Sequence, residues 1–292
     1  MTSAGVVVLH YRNWPAVGEC IESVLAQRVP PAAVCVVDNG SHDGSAVEIA
    51  AAFPGVSLLV LPENHGYAAG MNTGIAHLGA VDVALLLTHD CVLAEGAFDS
   101  LVAAVDEDGH LGMVGPLLGL RSDPDRVFSA GGTFYGARLA TGHTGAGDPV
   151  DQWLGAPPHD AAFLDGSSLL VRTEMMRDLG GFDEGYFMYF EETDLARRAV
   201  RAGWRVACVH DALAFQEPGK RPEALWTRNR LRFLRRNAGP AVALRQGVVD
   251  AASVVRRMVA ADPQVRISSF LRLRGLLAPL TRTSPEHLYR LG

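Results

Sequence analysis

Three carboxylates, Glu191, Glu192 and Asp194, stand directly behind an aromatic run made of Tyr186, Phe187, Tyr189 and Phe190. Carboxylates beside buried aromatic rings have raised pKa values, which is what a general base working near neutral pH needs. Two adjacent acids also let one abstract a proton while its neighbour orients the group that gives it up. A plainer reading stands beside this one. Acids in the first turn of a helix complement its dipole, and Arg197, Arg198 and Arg201 suit the far end. A helix beginning near Glu191 and ended by Gly203 would account for the charges without any chemistry.

The elements that must position these groups follow in order along the chain. Val6 to His10, continuing into Tyr11, is a short Val-rich run behind Gly5 and reads as a buried parallel strand. Pro15 opens a helix, with Asn13 as its expected cap and Val17, Ile21, Val24 and Leu25 on its inner face. Val34 to Val37 is a second strand, cut off by Asp38-Asn39-Gly40-Ser41. Strand, helix, strand is the start of an open parallel sheet, and ligands of such sheets bind beyond the carboxyl ends of the strands. His10, Tyr11 and Arg12 lie there after the first strand, and Asp38 to Ser45 after the second. The latter stretch, DNGSHDGS, lacks the glycine pattern of dinucleotide folds, which argues against a nicotinamide or flavin enzyme. On its own it reads as an Asx-type turn and helix cap. A third strand, Val56 to Leu61, leads into a passage whose small residues 66, 68, 69 and 70 let a loop and a helix start approach a ligand closely. The apolar fourth strand, Val81 to Leu87, ends in Thr88-His89-Asp90.

Bulk properties set the frame. The chain has 292 residues, 48% hydrophobic and 20% charged, as in an ordinary globular protein with a sizeable core. Residues 220–292 hold 15 Lys and Arg against 4 Asp and Glu, which leaves 11 against 28 for residues 1–219. Such a basic tail could meet anionic lipid or a phosphorylated acceptor, or pack back on the acidic body. Cys20, Cys35, Cys91 and Cys208 have neither metal-site nor disulfide spacing and read as buried, reduced thiols of a cytoplasmic protein. No apolar run approaches a membrane span, so attachment, at the inner face of the membrane, would be peripheral. No nucleic-acid partner is expected. Residues 110 to 160 are rich in Gly, Pro and Asp and read as a strand pair with loops over the site, or as a surface excursion. The amphipathic segments Val242 to Ala260 and Ile267 to Leu280 could form a homodimer face, a membrane-surface helix or plain packing.

Five stretches, in this order, resemble family 2 glycosyltransferases, above all their rhamnosyltransferase-like branch. DNGSHDGS matches the family's D-N-x-S-x-D-G-S, and Asn64, Gly66 and Asn72 match N-x-G-[FY]-x-x-x-x-N. Thr88-His89-Asp90 falls at the family's D-x-D, GGFDE with its aromatic run and acid doublet matches the C-terminal signature, and RNRLRFLRR matches R-N-x-L-R-F-x-R-R. The resemblance covers roughly residues 4 to 236.

It implies an α/β fold with a GT-A type nucleotide-binding sheet flanked by helices. Residues 1–219 would form that domain, with the nucleotide-sugar half ending near 110, and residues 220–292 a basic helical extension. The implied reaction is inverting transfer of a sugar from a dTDP- or UDP-sugar to a hydroxyl of a glycan, a lipid-linked glycan or a natural product. Glu192, the second acid of the doublet, would be the catalytic base. Asp38 would meet the pyrimidine and Tyr11 pack on it, with His10, Arg12, Asn64, Gly66, Asn72 and Asp90 completing the nucleotide site. Asp165, Gly166, Glu191 and Asp194 would face the acceptor. The family's D-x-D acids bind the divalent cation that bridges the donor diphosphate. Here Thr88 replaces the first acid, leaving Asp90 with His89, a ligand better suited to Mn²⁺ than to Mg²⁺. The family's later metal-binding His falls on Gln216. A weakly held cation, Arg or Lys groups, or helix amides would then stabilise the leaving diphosphate. His210 reads as structural. Two other classes stay open. A sugar nucleotidyltransferase would carry a Gly-rich basic loop after the first strand, which His10-Tyr11-Arg12-Asn13 does not resemble. A catalytically impaired sugar-nucleotide-binding module fits Thr88 and Gln216 but leaves the acid doublet unexplained.

Overall fold

A computed structural model describes residues 2–219, 221–258, 263–281 and 283–291. Strand β1 (Ala4–His10) leads into helix α1 (Trp14–Leu25), β2 (Ala33–Asp38) into α2 (Ser45–Ala52), and β3 (Ser57–Val60) into α3 (Gly66–His77). Strands β4 (Val83–Thr88) and β5 (Val92–Leu93) precede α4 (Ala97–Glu107). Then come β6 (Leu111–Leu120), β7 (Val127–Ser129), a hairpin of β8 (Gly132–Tyr135) and β9 (Ala140–His143), β10 (His159–Asp160) and β11 (Ser168–Arg172). Helices α5 (Thr173–Leu179) and α6 (Glu191–Arg201) flank the signature motif, and β12 (Arg205–Gln216) completes the sheet. Helices α7 (Glu223–Asn237), α8 (Pro240–Met258), α9 (Pro263–Thr281) and α10 (Pro285–Tyr289) follow. Positions 259 and 260 of the segment expected to be amphipathic lie outside the described residues.

The sheet runs β10-β12-β6-β11-β4-β1-β2-β3. Both faces are covered, which is why β1 reads as an unbroken apolar run with every residue buried. Val6 and Val8 enter one core with α1 and α4, while Val7 and Leu9 enter the other with α3 and α6. Strands β1, β2, β3 and β4 are mutually parallel, and β6 and β12 pair parallel with each other. Strand β11 runs antiparallel to both β4 and β6. Its reversal matters for the site, because it puts the residues that precede it, Asp165 to Ser167, at the edge where its neighbours end. The Thr88 amide donates to the Ser167 carbonyl at 3.0 Å and fixes that junction.

Local details depart from the sequence reading in four places. Asn13 has left-handed backbone and caps nothing with its side chain, and Leu25 is 50% exposed rather than on the inner face of α1. Strand β6 occupies the sheet interior inside the stretch read as a strand pair with loops or a surface excursion, and β12, which the sequence suggests only from Arg205 to Val209, continues through a register shift to Gln216. All four cysteines are free and buried. Helices α7, α8 and α9 pack on one another. Among the described residues no helix is long and apolar enough to cross a membrane.

Candidate active site

A cavity of about 580 Å³ opens where the strands end. Tyr11 reaches it after β1, Asn39 after β2, Asn64 after β3, and Thr88, His89 and Asp90 at the end of β4. Asp165, Gly166 and Ser167 come from the lead into β11, Gln216 from the end of β12, and Glu191 and Glu192 from the first turn of α6. Residues from four distant motifs thus face one space.

The acid doublet sits behind a strained turn. Phe187, Tyr189 and Phe190 all have left-handed backbone, with φ of 68°, 71° and 75°, which costs non-glycine residues on the order of 1–3 kcal/mol each. Neighbouring groups hold the turn in place. The Asn229 amide, fully buried on α7, donates to the carbonyls of Tyr186 at 2.8 Å, Met188 at 2.7 Å and Tyr189 at 3.0 Å. Asp194 anchors the other side: it accepts from Arg198 at 2.9 Å, Asn237 at 3.1 Å and the Tyr186 hydroxyl at 3.3 Å. Its side chain is taken up by these partners and lies off the cavity wall, whereas the sequence reading has it facing the acceptor.

Glu191 and Glu192 differ from it. Burial lifts the Glu192 carboxyl to about 7, with the Thr193 hydroxyl, which donates at 2.7 Å, pulling the other way. The helix N-terminus would favour the charged form, so burial outweighs it. Glu191 is held well above the ordinary carboxylate range by burial and then by the charge of Glu192. It is 3% exposed and its Oε2 has no hydrogen-bond partner. An ionised carboxylate in that state would be costly, so Glu191 is the more strongly held of the two in its neutral form.

The floor opposite is an amide network. Asn39 Nδ2 donates to Asn64 Oδ1 at 3.2 Å and to the Gly66 carbonyl at 3.0 Å, while Asn39 Oδ1 accepts from the His65 amide at 3.0 Å. Asn64 Oδ1 also accepts from the Gly66 amide at 2.8 Å. Gly66 is required, since it has φ of 82° and a Cβ there would lie 2.3 Å from the Phe187 carbonyl oxygen. Gly66 therefore couples the floor to the aromatic turn without itself lining the cavity.

Several expected nucleotide contacts stand behind the wall rather than on it. Asp38 is buried and accepts from the Ser41 amide at 3.0 Å, the Asx turn of the plainer reading. Ser41 Oγ in turn accepts from the Arg12 amide at 2.8 Å, and the Arg12 guanidinium lies 5.0 Å from the Tyr11 ring centroid. His10 is buried 2.7 Å from Ser45 Oγ and kept neutral, its pKa lowered to about 4 by burial and then by His89. Asn72 ties α3 to the signature motif, donating to the Phe182 carbonyl at 3.0 Å and to Glu184 at 3.0 Å. His210 shares a 2.8 Å hydrogen bond with His159 against Trp153 and does not line the cavity.

Among the described residues no three His, Cys, Asp or Glu side chains are grouped to hold a metal. Asp90 is the strand-end carboxylate, Thr88 Oγ1 beside it is buried without a partner, and Gln216 Nε2 donates to Asp165 at 3.4 Å. This donor set suits a cation shared with a ligand's phosphates, as Mg²⁺ and Mn²⁺ commonly are, and not a cage built by protein alone. Burial keeps His89 neutral.

The sequence reading missed wall residues. Tyr67 donates to the Gly166 carbonyl at 2.7 Å, and His143 comes from the β8–β9 hairpin, which does lie over the cavity. Arg221, Trp226 and Tyr289 come from the C-terminal region. Their only sequence signal is aromatic residues in a basic tail.

The chain matches the family described as "Glycosyl transferase family 2" over residues 5–141 and "Glycosyl transferase family group 2" over residues 85–285. It is similar to the N-acetylglucosaminyl-diphospho-decaprenol L-rhamnosyltransferases of two Mycobacterium tuberculosis strains, 32% identical in an alignment of 233 residues covering 71% of this chain and 73% of theirs. Its fold is similar to that of GalNAc-T7, solved with UDP, GalNAc and Mn²⁺, with a TM-score of 0.64 and 14% identity over 99% of this chain and 56% of that one. The mannosyltransferase PcManGT from Pyrobaculum calidifontis, solved with GDP-Man and Mn²⁺, gives 0.56 and 17%, covering 99% and 85%. S. aureus TarS gives 0.57 and 15%, covering 99% and 83%. These likenesses identify a GT-A fold.

Proposed function

The chain belongs to glycosyl transferase family 2 and is a glycosyltransferase, and from that premise we propose that it moves an L-rhamnosyl group from a dTDP-sugar to a hydroxyl of a saccharide acceptor carried on a lipid diphosphate. The 32% relative, named for rhamnosyl transfer to a diphospho-lipid saccharide, supports the sugar and the acceptor class, and the dTDP carrier rests on the motif resemblance alone. One observation carries the mechanism: Glu192, with its pKa near 7, lies on the wall of the same cavity as Tyr11, Asn64 and Asp90.

In this reading Glu192 takes the acceptor's hydroxyl proton as that oxygen forms its bond to the anomeric carbon. The bond from the anomeric carbon to the diphosphate oxygen breaks on the opposite face, and the diphosphate leaves with the electron pair. One in-line displacement inverts the centre. Glu191, neutral, is a hydrogen-bond donor beside the base and keeps the acceptor oxygen in line. A divalent cation held by Asp90 and the donor's own phosphates would offset charge on the leaving diphosphate.

Incubation with dTDP-L-rhamnose, UDP-sugars and GDP-sugars, with and without a diphospho-lipid saccharide, tests the substrates by nucleotide release and by mass of the product. Acceptor-dependent release of dTDP with a product heavier by one deoxyhexose is expected. Turnover of a UDP- or GDP-sugar alone would replace the donor assignment.

A further inference from the structure

The wall residue Tyr289 lies at the far end of the chain, and the packing explains how it gets there. Helix α9 is clamped on α7: Gly275 approaches so closely that a Cβ would lie 2.2 Å from the Ala224 carbonyl oxygen, and Arg272 pairs with Glu223 at 2.8 Å. This turns α10 back toward the sheet. Leu288 is fully buried with Phe187, Ala224, Leu225 and Ala278, and the Tyr289 ring packs on Phe187 with centroids 5.4 Å apart. Phe187 is itself the residue whose carbonyl meets Gly66 and accepts from the Ala68 amide at 3.2 Å, at the amide floor. Tyr289 and Tyr11 thus share one cavity, above a floor of Asn39 and Asn64.

We infer that α10 forms the lid of the nucleobase subsite, with Tyr289 covering a planar base from the side opposite Tyr11. The inference rests on the sugar-nucleotide reading. Two phenol rings make a poor site for a phosphate and a good one for a planar heterocycle that offers a π face to each. The electrostatics of Tyr289 agree: after burial, the groups that act on its phenol are Tyr11, which raises its pKa, and Arg12, which lowers it. The residues that follow β1 therefore face the residue that ends α10.

The test compares wild type, Tyr289→Ala and Tyr289→Phe by calorimetry with dTDP, UDP and inorganic pyrophosphate, with a thermal melt of each. Stacking on one base predicts that Tyr289→Ala weakens the better nucleotide by roughly tenfold. Pyrophosphate binding should be unchanged and Tyr289→Phe should bind like wild type. Nucleotide affinity untouched in Tyr289→Ala would overturn the inference while leaving the donor reading intact. Parallel loss of pyrophosphate would mark a merely structural ring and overturn it too. Failure of wild type to bind either nucleotide would remove the sugar-nucleotide reading and this lid with it.

Discussion

Glu191 and Glu192 are neighbours whose carboxyls are both pushed up by burial, and that has a measurable consequence for stability. Burial raises the Glu191 pKa above its ordinary 4.5 in the folded chain. Above that value the folded state therefore binds more protons than the unfolded chain, and stability falls as pH rises. Glu191→Gln removes the term, so the variant should melt above wild type at pH 8, with the gap closing as pH drops toward 4.5. Melting curves across that range check it; a constant offset would mean that Glu191 is ionised in the fold. At this scale the sequence was partly legible. Tyr11, Asn64, Asp90, Asp165, Gly166, Glu191 and Glu192 all reach the cavity, whereas Asp38, Asn72 and Asp194 bond to their own framework. A motif does not separate residues that meet a ligand from residues that hold the loop that meets it, because both need the same polar side chains.

Among elements, α7 has the most to do with the site although it supplies one residue, Trp226, to the wall. Its Asn229 alone caps three carbonyls of the left-handed aromatic turn. Asn229→Ala removes that donor from the Met188 and Tyr189 carbonyls, while the Tyr186 carbonyl keeps the Met188 amide at 2.9 Å; the loss costs about 1–3 kcal/mol and frees the turn that aims Glu192. A lower melting temperature together with a reduced kcat is expected; a destabilised variant with unchanged kcat would show that the turn keeps its shape unaided. Strands β1, β2 and β4 were legible because they are continuous apolar runs buried on both faces. Strand β6 was hidden by its glycines, which the packing demands. A Cβ at Gly112 would lie 2.6 Å from Met175 Sδ, and one at Gly119 would lie 2.8 Å from the Phe215 ring. Close approach between elements is a tertiary requirement that dilutes the local apolar signal.

For the whole molecule, the cavity wall carries Asp90, Asp165, Glu191, Glu192 and Glu217, with Arg221 as the guanidinium among its described residues. A diphosphate entering such a wall calls for more positive charge, and Asp90 is where a cation would share its phosphates. Chelation should reduce donor affinity severalfold and Mn²⁺ should restore it, with Asp90→Ala insensitive to both; equal chelator sensitivity in the variant would move the cation elsewhere. The return of the C-terminal helices to the cavity could not be read from local sequence, since it depends on contacts between α7 and α9 some fifty residues apart. The most direct measurement is the pH–rate profile of sugar transfer for wild type and Glu192→Gln, with nucleotide affinity measured on the same samples. The account predicts a wild-type acid limb near pH 7. It also predicts a loss of at least about 10²-fold in kcat in the variant, with affinity retained. Near-normal turnover by Glu192→Gln would contradict it.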